Sequence, residues 1–207
     1  SDLTIGLIGM NEASENLLGV DIGSQEGREF AERTLDYMRD TLVEFQAATG
    51  NNYNLEATPA EGTTYRLARI DKRDFPKSAH FANGLGDAVD HPFYTNSTHL
   101  PVNYTDDLFE LLDLQDELQT KYTGGTVIHF FLGERMPDAT TLKGLVRKIC
   151  TNYHLPYFTF SPSFSVCRNH GYILGERQQC PECQETCEVY SRVVGFLRPE
   201  IGRASCR

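Results

Sequence analysis

In a chain of 207 residues, the stretch from Cys167 to Cys183 leaves the fewest options open. Cys167 and His170 form a Cys-x2-His pair, Cys180 and Cys183 form a Cys-x2-Cys pair, and nine residues, Gly171 and Gly175 among them, separate the two. Zinc takes four soft or borderline ligands in a tetrahedron, and two short chelating turns joined by a loop supply them with little chain strain. Pro181 within Cys-Pro-Glu-Cys and the glycines beside the pairs suit such turns. Four protein ligands fill the shell and leave no position for water or substrate, so the spacing points to a structural zinc whose binding helps to fold the loop. Cys187 is a fifth thiol nearby and an alternative to His170 in the set. Unmetallated thiols, or a disulfide made by Cys187, are the competing readings.

Charge and composition narrow the setting. Four of the six cysteines lie between 167 and 187, which reads as metal ligation in a reducing compartment rather than a secreted disulfide framework. The formal net charge of -10 and the absence of a basic stripe argue against a nucleic-acid groove, which needs clustered Lys and Arg to neutralise phosphates. No segment approaches the roughly 20 apolar residues of a membrane helix, and no charged-then-apolar signal pattern opens the chain. The expected location is the cytoplasm. A 40% hydrophobic and 23% charged composition suits a folded domain with a sizeable core, or part of one.

Downstream of the cysteines the chain continues Tyr190-Ser191-Arg192-Val193-Val194-Gly195-Phe196. Cys-x-x-His-Gly-Tyr, Cys-Pro-x-Cys and this segment, in that order, resemble the C-terminal end of the anaerobic (class III) ribonucleoside triphosphate reductases. In that family a zinc site precedes a loop carrying a glycyl radical in an Arg-Val-x-Gly-Tyr motif. Arg192-Val193-Val194-Gly195-Phe196 matches it with Phe196 in place of Tyr, which makes Gly195 the candidate radical residue. The chemistry accounts for the residue type, because a radical at Cα is stabilised by delocalisation between amide nitrogen and carbonyl. That requires a planar centre, which glycine offers without side-chain clash.

Along the chain, Leu3 to Met10 reads as a short buried strand or the start of a helix, and Arg28 to Ala48 as the clearest helix, with Phe30, Leu35, Met38, Leu42 and Phe45 near helical spacing. Tyr53 to Ala57 reads as a strand running into Thr58-Pro59-Ala60-Glu61, followed by a helix from Thr63 to Asp71. A strand that delivers a carboxylate to the mouth of a helix is the kind of corner where barrel enzymes keep functional groups. Thr-Pro-Ala-Glu also matches the reductase family, which implies that Glu61 is an active-site carboxylate; stabilisation of a helix N-terminus is the competing role. Tyr94-Thr95-Asn96-Ser97 with Leu100-Pro101-Val102 resembles an active-site-facing segment of the family, against plain turn chemistry at Asn96 and Ser97.

Thr105 is the expected cap of a helix with Leu108, Leu111, Leu112, Leu114 and Leu118 on its buried stripe and its acids on a solvated face. Thr126 to Leu132 and Tyr157 to Phe160 read as strands flanking a helix that starts at Asp138, with Cys150 on its core side. His80, His91 and His99 lie outside any metal spacing. The alternation of strand and helix over residues 53–160 argues for α/β architecture with a parallel sheet.

The resemblance implies more: the C-terminal part of the ten-stranded α/β barrel of glycyl radical enzymes over residues 1–161, a small zinc-binding domain at 162–190 and the radical loop at 191–199. Its implied activity is reduction of ribonucleoside triphosphates, with formate or a thiol system as reductant. Its implied partners are an activase using S-adenosylmethionine and an iron-sulfur cluster, and a second copy in a homodimer of the full-length enzyme. The thiyl cysteine of the family is expected upstream of Ser1, so the chain is expected to be a fragment, inactive alone. Residues 201–207 resemble the translation of a sequencing adapter, and 200–207 are set aside as a non-native tail. A non-enzymatic zinc-ribbon interaction module and another glycyl radical enzyme are the alternatives from other classes.

Overall fold

The computed structural model describes residues 2–101, 104–131, 138–161, 163–175, 177–193 and 196–199. They fall into two compact units, residues 1–127 with 153–157, and residues 128–152 with 158 onward. Both units mix helix with strand.

In the first unit, β1 (Asp2–Gly6) and β2 (Asn52–Glu56) pair in parallel, with Leu3 opposite Tyr53 and Ile5 opposite Leu55. A parallel pair needs a long crossover, supplied here by α1 (Met10–Leu18) and α2 (Gln25–Thr49). Ser24 caps α2, its hydroxyl accepting from the Gly27 amide at 3.1 Å, and Gly50 ends it. The helix is therefore three residues longer at its start than the apolar spacing suggests, because the cap lies before the first apolar position. Ala31, Leu35 and Leu42 are buried along one stripe, with Phe30 and Met38 partly buried beside them, whereas Phe45 lies 47% exposed. These residues join Met10, Ile22, Leu55, Leu100, Leu118 and Tyr122 in one core.

Leu35 is fully buried in that core. Truncating such a leucine removes transfer free energy and leaves a cavity, typically about 2–5 kcal/mol together. Leu35→Ala is accordingly expected to lower the stability of the first unit by about 3 kcal/mol, read as a lower urea midpoint at unchanged slope.

Three sequence expectations change here. The Leu3–Met10 run splits, with Met10 opening α1 and buried, but all five residues of β1 exposed; among the described residues β1 has β2 as its ladder partner on one side. The helix after β2 is α3 (Glu61–Asp74), which begins at Glu61 rather than Thr63. It is followed by the short hairpin of β3 (His80–Phe81) and β4 (Gly84–Leu85). Finally, Asp107 and not Thr105 caps α4 (Leu108–Thr120), accepting from the amides of Phe109 at 2.8 Å and Glu110 at 3.4 Å. The Thr105 hydroxyl accepts from the Asp107 amide and bonds the Glu110 carboxylate, buttressing the stronger carboxylate cap. The leucine stripe is present in Leu112 and Leu118, but Gln115 and Gln119 are buried with it. On the acidic face, Asp113 and Asp116 bind the Tyr153 hydroxyl and the His154 amide.

In the second unit β5 (Ile128–Phe131) and β6 (Phe158–Ser161) pair in parallel across α5 (Ala139–Asn152), a second strand-helix-strand crossover. Asp138 opens α5 as expected, accepting from the amides of Thr140 and Thr141 at 2.9 and 3.0 Å. Ile149 is the buried residue of α5, and Cys150 is exposed. Its expected core position is corrected, because successive helical residues are turned about 100° apart and the stripe passes through Ile149 instead.

The rest of this unit is an antiparallel sheet ordered β10-β9-β7-β8. It comprises β7 (Phe164–Cys167), β8 (Gly171–Leu174), β9 (Glu188–Val193) and β10 (Phe196–Pro199). Phe164 of β7 stacks on Tyr190 of β9 with ring centroids 5.3 Å apart. Among the described residues no helix is long and apolar enough to cross a membrane.

Candidate functional site

The β7–β8 hairpin brings the first ligand pair together. Cys167 ends β7 opposite Gly171, which opens β8, and the intervening turn carries His170. Gly171 has φ +74, a left-handed conformation that glycine adopts without the Cβ penalty and that reverses the chain just after the histidine. The second pair sits on another turn. The Gln184 amide donates to the Cys180 carbonyl at 2.9 Å, the Cys180 amide to the Glu185 carbonyl at 2.8 Å, and Gln179 bridges Thr186. Gln184, at φ 61, absorbs the reversal.

Cys167, His170, Cys180 and Cys183 thus converge, their donor atoms all within 4.8 Å of one another. The Cys167 and Cys183 sulfurs are 3.6 Å apart, and His170 Nδ1 lies 3.7 Å from Cys167 Sγ and 3.5 Å from Cys180 Sγ. A tetrahedral zinc with Zn–S near 2.3 Å sets its sulfurs about 3.8 Å apart, and its sulfur-nitrogen pairs slightly closer. The residues present fit that ion. All the cysteines in this cluster are free thiols. Cys167 and Cys180 are buried, together with Cys187 and packed by Ile173 and Cys183, so this part of the chain has sulfur for a core.

The electrostatics favour a cation at the centre. The backbone amides of Asn169 and His170 point at Cys167 and hold its thiol below the ordinary value, as hydrogen bonding to a thiolate does. The Glu185 amide lowers Cys183, but burial and the sulfurs of Cys167 and Cys180 outweigh it and push that thiol up. Such mutual repulsion is what a divalent ion reverses. Cys187 is 5% exposed, and burial followed by the proximity of Cys167 and Cys180 pushes its thiol up. Among the described residues it lies outside the converging group of four.

The first unit brings together the other two segments singled out in the sequence. Thr58 follows β2, and Gly6 faces it so closely that a Cβ there would lie 2.3 Å from Thr58 Oγ1, a contact only glycine allows. The Ser97 hydroxyl reaches the Thr58 carbonyl at 3.5 Å, so residues 58–61 and 94–98 adjoin. Each carries a non-glycine residue in the left-handed region, Ala60 at φ 31 and Ser97 at φ 46, a strain that persists only where surrounding structure over-determines it. Glu61 opens α3, with its side chain outside the described residues; Gly195 and the 200–207 tail lie outside them altogether.

Sequence reasoning missed the groups that hold residues 94–98. Glu12, buried at the start of α1, accepts from the Thr95 amide at 3.1 Å and the Thr95 hydroxyl at 2.9 Å. Gly9 and Met10 donate backbone bonds to the Thr95 and Ser97 carbonyls. Thr98 bonds the Tyr122 hydroxyl at 3.0 Å, and Gln115 donates to the Thr98 carbonyl at 3.0 Å and accepts from Gln119. No local pattern announces these contacts, since Glu12 and Thr95 are 83 positions apart.

Burial raises the Glu12 carboxyl above the ordinary value, against the lowering by its Thr95 bonds. A group so raised holds its proton longer folded than unfolded. Its contribution is therefore fully present at acid pH and declines as pH rises from the unfolded value through the folded one. Glu12→Gln retains a carbonyl for Thr95 and does not titrate, so its stability is expected to fall less than the wild type's as pH rises from the ordinary carboxylate value through the raised one. Parallel urea-unfolding profiles for the two proteins would contradict this.

Comparison with known proteins adds the family. A family model described as anaerobic ribonucleoside-triphosphate reductase matches residues 1–203. The anaerobic ribonucleoside-triphosphate reductase of Salmonella typhimurium is 24% identical over 210 residues, covering 95% of this chain and 28% of that protein. The enzyme of the same name from Enterobacteria phage T4 is 28% identical over 171 residues, covering 81% and 25%. Among solved structures, the anaerobic ribonucleotide reductase from Thermotoga maritima with MES in its active site aligns at a TM-score of 0.78 and 26% identity, over 95% of this chain and 32% of that one. The chain thus spans about a quarter to a third of the length of these relatives.

Proposed function

The chain belongs to the anaerobic ribonucleoside-triphosphate reductase family, and from that premise we propose that it is the part of such an enzyme that carries the glycyl radical, at Gly195, beside a structural zinc. The family match across residues 1–203 is the observation that carries this reading. The activity we assign to the whole enzyme is reduction of ribonucleoside triphosphates to deoxyribonucleoside triphosphates, with formate or a thiol system supplying the electrons. A radical S-adenosylmethionine activase with an iron-sulfur cluster is the assigned partner, the full-length enzyme is assigned as a homodimer, and the cytoplasm is its setting.

Residues 1–161 are assigned to the C-terminal portion of a ten-stranded α/β barrel, and the parallel β1–β2 and β5–β6 pairs with their helical crossovers support this. Residues 162–190 are assigned to the zinc domain, 191–199 to the radical loop and 200–207 to a non-native tail, the family match itself reaching residue 203. Cys167, His170, Cys180 and Cys183 hold the zinc, and their convergence supports that role. A zinc ion bound by these four residues would have its shell filled, would fix the two ligand turns and would leave no open position for substrate. The radical supplies hydrogen-atom removal from a cysteine thiol, whose sulfur in turn takes the ribose 3′ hydrogen.

Around the substrate the chain contributes the Glu61 carboxylate, at the mouth of α3. The 94–98 segment, tied down through Glu12, Gln115 and Tyr122, contributes the half-buried Asn96, while Ser97 is buried and braces the segment against the Thr58 carbonyl. The test is an anaerobic electron paramagnetic resonance spectrum of the zinc-loaded chain after incubation with reduced activase and S-adenosylmethionine. A carbon-radical doublet is expected. Silence from the zinc-loaded chain joined to the upstream part of the enzyme would remove the assignment of Gly195 as the radical residue.

A further inference from the structure

We infer that Glu182 is a positioning residue of the metal centre, its carboxylate beside His170 Nε2 favouring the proton on that nitrogen so that His170 meets the metal through Nδ1. The inference rests on the zinc reading above and extends it to a residue that Cys-x2-His and Cys-x2-Cys spacing cannot single out. A neutral imidazole carries one N–H, and the partner of one nitrogen decides which nitrogen keeps a free lone pair. His170 Nδ1 faces the Cys167 and Cys180 sulfurs at 3.7 and 3.5 Å, while Nε2 lies 3.3 Å from Glu182 Oε2. A carboxylate only accepts, so it selects the Nε2–H form and leaves the Nδ1 lone pair aimed between the sulfurs.

Connectivity makes the arrangement specific. Glu182 lies between Pro181 and Cys183, so the turn that presents two sulfur ligands also presents the carboxylate that orients the histidine from the other turn. The neighbouring acid, Glu185, is engaged elsewhere, accepting from the Asn169 amide group at 2.9 Å. Outer-shell carboxylates on ligating histidines are worth about 10–100-fold in metal affinity. The Glu182 side chain is 70% exposed, which screens its charge and places the expected effect near the lower end of that range.

The experiment is chelator competition for zinc on the full chain and its Glu182→Ala and Glu182→Gln variants, beside long-range proton–nitrogen correlation spectra of His170 in the zinc-loaded protein. Zinc affinity is expected to fall about 10-fold in the alanine variant and less in the glutamine variant, whose amide oxygen keeps a partially negative atom beside Nε2. The spectra are expected to show His170 protonated on Nε2 and metal-shifted on Nδ1. Unchanged affinity in Glu182→Ala, or ligation through Nε2, would overturn this inference and leave the zinc reading standing. Failure of the chain to take up zinc at all would overturn both.

Discussion

Replacing Cys180 with serine is expected to cost the chain its tight zinc site and to loosen residues 163–193, while leaving the first unit intact. Cys180 is fully buried, its sulfur 3.5 Å from His170 Nδ1. The cluster around it consists of Cys167, Cys180 and Cys187, with Ile173 and Cys183 packed against them. Four thiols and one isoleucine supply little apolar burial around the ligand turns, so a bound ion would contribute much of their stability. Structural zinc contributes about 10–16 kcal/mol of apparent folding free energy in small zinc modules. One ligand in four corresponds to about 2.5–4 kcal/mol of that, or roughly 70- to 1000-fold in affinity. A serine hydroxyl is a poor substitute, being neutral at pH 7 and harder than a thiolate. The measurements are zinc stoichiometry under chelator competition, and hydrogen exchange localised to residues 163–193. The exposed Cys150 serves as control, and Cys150→Ser is expected to change neither. Wild-type zinc affinity in Cys180→Ser would refute the four-ligand assignment.

Replacing Gly195 with alanine is expected to erase the radical doublet altogether. The captured centre is planar and shares its unpaired electron with the amide nitrogen on one side and the carbonyl on the other. A Cβ crowds both neighbours in that plane, so the bond to the departing hydrogen is no longer weakened to the same extent. The spectrum itself discriminates. A glycine-centred radical keeps one α hydrogen and gives a doublet, whereas an alanine-centred one would couple to three methyl hydrogens and give a multiplet. Activation of both proteins under the same anaerobic conditions, with zinc content matched, makes the comparison. A doublet that persists in Gly195→Ala would place the radical at another residue and remove the basis for assigning residues 191–199 as the radical loop.

The two predictions draw on different kinds of information. The converging group of Cys167, His170, Cys180 and Cys183 was legible because its spacing is local: a turn of three or four residues brings Cys167 to His170, or Cys180 to Cys183, whatever the rest of the chain does. Helix α2 was legible for a similar reason, its apolar stripe recurring at the helical period, and the match of the Arg-Val-Val-Gly-Phe segment is likewise a run of neighbours. Errors arose where a choice between adjacent residues depended on packing. Ile149 rather than Cys150 faces inward on α5, and Asp107 rather than Thr105 caps α4. On α4 the carboxylate makes the stronger cap, and on α5 the helical phase turns Ile149 inward and Cys150 outward.

Long-range contacts left no trace in the sequence at all. Nothing near Asn11-Glu12-Ala13 points to Thr95, and nothing around Gln115 points to Thr98, yet these bonds hold the segment that bears Asn96 and Ser97. The pairing of Glu182 with His170 is intermediate, since it joins two turns whose separate chelating patterns are visible but whose mutual orientation is not. Sequence by itself determined the converging Cys and His set and the helical periods, because short-range geometry and residue chemistry suffice for each. Only tertiary structure decided which nitrogen of His170 faces the sulfurs and which buried carboxyl anchors residues 94–98, because burial and orientation are properties of surroundings that distant parts of the chain supply.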